Sequence, residues 1–166
     1  MLRIKFSAGR QFSASKSASS PSAKTLCGTL RNPKTMTIKR YDIFLDDKII
    51  GTTEFEKADA PMGVVFGQIQ FNNIISGYDF FKKYCLENNI ELADDYPEDK
   101  LISTRTIDNL KVINENGFEI KGLGNQISGM DVDEFEITIE GVAYPFFEDE
   151  FPHHVKEYND QFKESE

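Results

Sequence analysis

From Glu134 to Glu140 the chain reads Glu-Phe-Glu-Ile-Thr-Ile-Glu, apolar and polar residues alternating without a break. Successive side chains of a strand point to opposite faces. Phe135, Ile137 and Ile139 therefore share one face, and Glu134, Glu136, Thr138 and Glu140 share the other. Such a strand needs a core on one side and water on the other, which suits an antiparallel sheet better than a doubly covered parallel one. The same period governs Tyr41, Ile43 and Leu45, which alternate with Asp42, Phe44 and Asp46. Asp46, Asp47 and Lys48 supply turn residues, and Ile49 to Phe55 runs back, so a hairpin is expected. Val64 to Phe71 reads as a further strand, with Gly67 marking a bulge or a close backbone approach. Asn109 to Gly122 reads as a second hairpin about Glu115-Asn116-Gly117.

Two stretches change period. Ile74, Tyr78, Phe81 and Cys85 recur at helical steps, with Ser76 placed to cap the helix. Phe151, Val155, Tyr158 and Phe162 do the same, and Pro152 suits a first turn, where its missing N–H costs little. Glu91–Lys100 reads as a polar loop and Gly122–Asp131 as a glycine-marked one, and no internal repeat is present. The expected fold is α+β: a mostly antiparallel sheet of five or six strands with two helices, one of them C-terminal.

Charge divides the chain. Residues 1–35 hold seven basic residues and no acid, so the rest carries twelve basic residues and all twenty-eight acids, a net of −16. The first part is rich in Ser and poor in large apolar residues, and is expected to be a disordered basic leader. It fits a mitochondrial transit peptide, a basic arm for nucleic acid or, best, upstream sequence ahead of a true start at Met36, where composition changes abruptly. Residues 36–166 are expected to form a single acidic domain. That acidity disfavours DNA and RNA as its partners and favours a basic protein. No apolar run approaches the ~20 residues that span a bilayer, so a soluble chain with no membrane partner is expected. Cys27 and Cys85 stand apart without CxxC neighbours, as in a reducing compartment. The cytoplasm is expected, or the mitochondrion if residues 1–35 are a transit peptide. Cys85, beside Tyr84 and Leu86, reads as a core residue.

The most chemical stretch is Glu148–Tyr158, which sets the only two histidines behind three carboxylates. Glu150 and His154 are the candidates for proton chemistry, and His154 for a metal. A helical zinc pair wants histidines at i and i+4, whereas adjacent residues project about 100° apart. His154 is expected to flank the apolar stripe at the edge of a cleft, and His153 to point away near Glu157. Helix grammar, with the acids ahead of a positive helix end, explains the stretch more simply. Asp131-Val-Asp-Glu-Phe-Glu opens like a calcium loop, but Glu136 stands where that loop needs Gly, and Val142 where it needs Glu. Gly122, Gly124 and Gly129 do not make a GxGxxG motif, and a strand follows them where a phosphate cradle needs a helix. No cofactor is expected. Pro61, Met62 and Gly63 form a tightly specified loop and are binding candidates. His153 is a candidate partner contact. Arg105, one of few basic residues here, is a candidate anion anchor or a counterion for the acids.

Asp46-Asp47 in the first hairpin, Pro61-Met-Gly-Val64, Tyr144-Pro145 and Phe151-Pro-His-His-Val155 resemble, in that order, a group of small uncharacterised bacterial proteins. The resemblance spans residues 40–164, omits residues 1–35, and implies no activity or catalytic residue. The function expected is that of a protein-binding module, for example one neutralising a basic toxin such as a nuclease. The alternatives are an enzyme or metal protein centred on His154, and a self-associating structural subunit whose oligomeric state the sequence leaves open.

Overall fold

The computed structural model describes residues 39–163. The expected leader over residues 1–35, the start at Met36, Cys27 and the side chain of Phe162 lie outside the described residues. The fold is α+β and every strand pair is antiparallel. The strands are β1 (Tyr41–Leu45), β2 (Lys48–Thr53), β3 (Lys57–Asp59), β4 (Val64–Gln68), β5 (Gln70–Phe71), β6 (Leu92–Tyr96), β7 (Leu101–Thr104), β8 (Leu110–Asn114), β9 (Gly124–Met130) and β10 (Phe135–Glu140). The helices are α1 (Gly77–Glu87), α2 (Phe146–Glu150) and α3 (Pro152–Lys163), with a 3-10 turn at Ala60–Met62. The strands form a four-stranded sheet, β5-β2-β1-β8, and a six-stranded sheet, β3-β4-β10-β9-β7-β6. The single expected sheet is therefore two, and a third helix precedes the C-terminal one.

The alternating runs behave as their period requires. In β1, Tyr41, Ile43 and Leu45 are buried, and in β10, Phe135, Ile137 and Ile139 are buried, while Glu140 is exposed. Both sheets turn these faces into one core, joined by Tyr78, Phe81 and Cys85 of α1, which lies against β7 and β9. Burial pushes the Cys85 thiol up to about 11, as expected of an inert core residue.

The expected strand Val64–Phe71 breaks at Ile69. Its first half pairs with β10 in the larger sheet and its second with β2 in the smaller, so this segment carries the chain between sheets. Gly67, within β4, permits the close approach of the Thr53–Phe55 segment. A Cβ there would lie 2.9 Å from the Phe55 amide nitrogen and would strike the Thr53 hydroxyl.

Two expected loops are strands. Glu91–Lys100 contains β6, an edge strand whose residues are exposed apart from a half-buried Leu92. With neither face buried it has no alternation to read. Asp95 ties it to α1 through Tyr78 Oη at 2.7 Å and Lys82 Nζ at 2.8 Å. Gly122–Asp131 contains β9, hidden by its glycines. The second expected hairpin keeps β8, but its return arm makes only the bridge from Ile113 to Glu119.

The segment that opens like a calcium loop has a structural task. The Asp131 carboxylate accepts from Ser76 Oγ at 2.6 Å and from Tyr78 N at 2.9 Å, while Ser76 Oγ caps Asp79 N at 3.0 Å. Burial opposes the charge on Asp131, but the Ser76 and Tyr78 hydrogen bonds and Lys100 outweigh it, so its pKa lies below the ordinary value. The start of α1 is thus held by an acid from the β9–β10 connection.

Because two of the three atoms facing Gly67 are Phe55 backbone, they cannot move aside cheaply. Gly67→Ala should lower unfolding free energy by about 2 kcal/mol in urea titration. An unchanged midpoint would show that the sheets do not depend on this close approach.

Candidate functional site

The C-terminal helices are positioned by aromatic packing. Phe147 and Phe151 are fully buried. The Phe151 ring lies 5.8 Å from Tyr41 and 5.7 Å from Phe55, and Tyr41 and Phe55 meet edge-on at 5.0 Å. The acids expected ahead of the helix are themselves helical, in α2. Glu150 closes α2 and turns toward β1. It accepts from Tyr41 Oη at 3.0 Å and Asn114 Nδ2 at 3.4 Å, and pairs with Lys39 Nζ at 3.2 Å. Burial, and then the charge of Glu150, drive the Tyr41 phenol far above its ordinary pKa. Glu150 is occupied in joining α2 to the four-stranded sheet and does not line the cleft beside His154.

His154 does not flank the apolar stripe of α3; it is part of it, and is buried while Tyr158 is partly exposed. Its Nε2 lies 2.8 Å from the carbonyl oxygen of Phe55. A carbonyl only accepts, so Nε2 carries the proton. Phe55 has φ of 52°, the left-handed region that a bulky residue rarely enters. His154 therefore holds an unfavourable backbone turn in place. Its other nitrogen, Nδ1, lies 3.7 Å from a Glu157 oxygen, so Glu157 neighbours His154 as well as His153. His153 is half-buried, with its ring 4.0 Å from that of His154. Burial, then the charges of His154 and Lys39, hold its pKa below the ordinary 6.5 against the opposing pull of Glu157. Among the described residues, no three or more His, Cys, Asp or Glu side chains are grouped to hold a metal ion.

The loop candidates meet this region. Pro61 and Met62 lie in the 3-10 turn, where Asp59 Oδ1 accepts from Met62 N at 3.4 Å. Gly63 ends the turn at φ of 63° and is buried; its carbonyl accepts from Val142 N at 2.8 Å. Tyr144 Oη donates to Ala60 O at 2.8 Å. Pro61–Val64, Tyr144–Pro145 and Phe151–Val155, far apart in sequence, therefore converge on one end of the six-stranded sheet. Arg105 is not part of this end. It is exposed and pairs with no acid among the described residues.

Between β3, the 3-10 turn and α3 lies a cleft of about 420 Å³, lined by Pro61, His154, Glu157 and Tyr158 among others. It shares Glu56 and Lys57 with a second cleft of about 460 Å³ on the outer face of β4, β10 and β9. That cleft shares Gln68, Asp133 and Glu134 with a third, of about 250 Å³, reaching Ile75 and Gly77 at the start of α1. The three clefts adjoin through these shared residues and make up a trough whose middle lies on the wet face of the larger sheet and whose ends reach α3 and the start of α1. Gln68 and Ser128 stand opposite Glu136 in the strand register, so the three make a polar row along its floor. Glu56 accepts from Gln68 N at 2.9 Å. Lys57, 3.8 Å from Glu136, is the one Lys or Arg among the lining residues. Asp133 and Glu134 meet no cation among the described residues. The outward glutamates of β10 were readable from sequence; that they share a trough with Glu56 and Glu157 was not.

No protein-family model matches the chain, and searches of curated proteins and of solved structures found no match either. No helix among the described residues is long and apolar enough to cross a membrane.

His154→Ala would leave the Phe55 carbonyl and its left-handed turn unsupported. It should lower unfolding free energy by about 2 kcal/mol in urea titration. A stable His154→Ala protein would return the residue to chemistry. His153 titrates lower folded than unfolded, so its stabilising share is full above pH 6.5 and is lost as pH falls through that value toward the lowered one. His153→Gln should flatten the fall of Tm in that window; parallel Tm–pH curves would contradict this.

Proposed function

We propose that this domain is a protein-binding module and that its partner is a basic protein, bound across the trough. The observation that carries this is a row of adjoining clefts beside the larger sheet whose lining carboxylates outnumber their single lysine, Lys57. Uncompensated acids on a concave surface raise the negative potential there and speed encounter with a positive surface. The same charge repels a phosphate backbone. A toxin-like nuclease, whose own basic surface serves nucleic acid, is one partner of this kind.

A second reading, proton or metal chemistry at His154, is favoured by the cleft beside it. It has one carboxylate within reach, Glu157, and a histidine whose Nε2 is engaged by Phe55; Glu150 is engaged elsewhere. The binding reading uses the trough as it stands.

Fluorescent polylysine, titrated at low and high salt, tests it. Binding should weaken steeply with salt. Glu56→Gln, Glu134→Gln and Glu136→Gln together should weaken it by about tenfold. The same number of neutralised acids outside the trough, at Glu87, Glu98 and Asp108, should change it little. Equal losses for the two sets would mean that acidity, and not the trough, does the binding.

A further inference from the structure

Beside the α3 end of the trough, next to the lining residues Ala60 and Pro61, aromatic and aliphatic groups stand exposed. Met62 is 68% exposed and Tyr144 50%. Pro61 is exposed beside them, and Tyr158 lines the same cleft. Tyr144 is fixed from two sides. Its hydroxyl is bound to Ala60 O, and one ring face stacks on Phe147 with centroids 5.3 Å apart and planes 30° apart. The exposed half of the ring is then its opposite face. Glu148 and Tyr158 both bear on the Tyr144 phenol electrostatically. Glu157, on the same cleft as Tyr158, has a side chain 68% exposed, lies 3.7 Å from His154 Nδ1, and pairs with no Lys or Arg among the described residues.

Resting on the basic-partner reading above, we propose that this end is a subsite for an arginine side chain of the partner. The guanidinium lies on the open face of Tyr144, its stem on Pro61 and Met62, and its N–H groups on Glu157 and Glu148. A planar, weakly hydrated guanidinium stacks on an aromatic face and offers a fork of donors to a carboxylate. A lysine ammonium keeps its hydration and does neither as well. The rigidity of Tyr144 matters, because a ring already ordered loses little entropy on binding.

The test compares oligo-arginine and oligolysine peptides of equal length and label, titrated into the full chain at low salt. Oligo-arginine should bind about tenfold more tightly. Tyr144→Leu should abolish that preference and leave oligolysine binding unchanged. Glu157→Gln should reduce it, and carries the test alone if Tyr144→Leu fails to fold by circular dichroism. Equal affinity of the two peptides, or a preference that survives the variants, overturns the subsite while leaving the basic-partner reading standing. Failure of both peptides to bind overturns that reading and the subsite with it.

Discussion

The carbonyl of Phe55 is where the C-terminal helices are fastened to the sheets. The residue sits between β2 and β3 with φ of 52°, and its ring is fully buried between Tyr41 and Phe151. A side chain of this size in the left-handed region costs on the order of 1–3 kcal/mol and persists only where its surroundings over-determine it. The surroundings here are the two rings, the Thr53 hydroxyl at 3.5 Å from the Phe55 amide, and His154 on the carbonyl. From that turn the chain enters β3 and the 3-10 turn, which form one wall of the cleft. From His154 runs α3, which forms the other. One hydrogen bond therefore sets the spacing of the two walls.

The trough is the electrostatic counterpart of this packing. Glu136 faces outward from the strand that buries Phe135, Ile137 and Ile139, and Glu56, Asp133, Glu134 and Glu157 join it from the connections beside that strand and from α3. Little within the domain answers them. Lys57 reaches Glu136 only at 3.8 Å and is itself largely exposed, a geometry worth little in water. Other acids have structural pairings: Asp131, at the far end of the trough, on the start of α1, and away from it Asp95 on Lys82 and Tyr78 and Glu150 on Tyr41 and Lys39.

Much of this was legible where burial leaves a period. β1 and β10 were readable because each has one wet face, and α1 because Tyr78, Phe81 and Cys85 recur at helical steps. β6 was not, since an edge strand with both faces exposed has no contrast to show. β9 was not, because Gly124 and Gly129 resemble punctuation until their neighbours are seen. The Phe55 turn escaped notice because nothing in Glu-Phe-Glu advertises a left-handed residue. His154 was singled out as half of the only histidine pair, behind three carboxylates, but its partner, a carbonyl ninety-nine residues earlier, is fixed by tertiary packing alone. Glu150 and His154 are close in sequence, yet successive helices hand them to different neighbours.

The most direct measurement is the nitrogen-15 NMR spectrum of His154 in the folded chain at neutral pH. A pinned ring shows a single tautomer, with the proton on Nε2, a free Nδ1, and a scalar coupling across the hydrogen bond to the Phe55 carbonyl carbon. A ring that averages between tautomers, or carries its proton on Nδ1, would contradict the structural role of His154 and leave the walls of the cleft without their fastening.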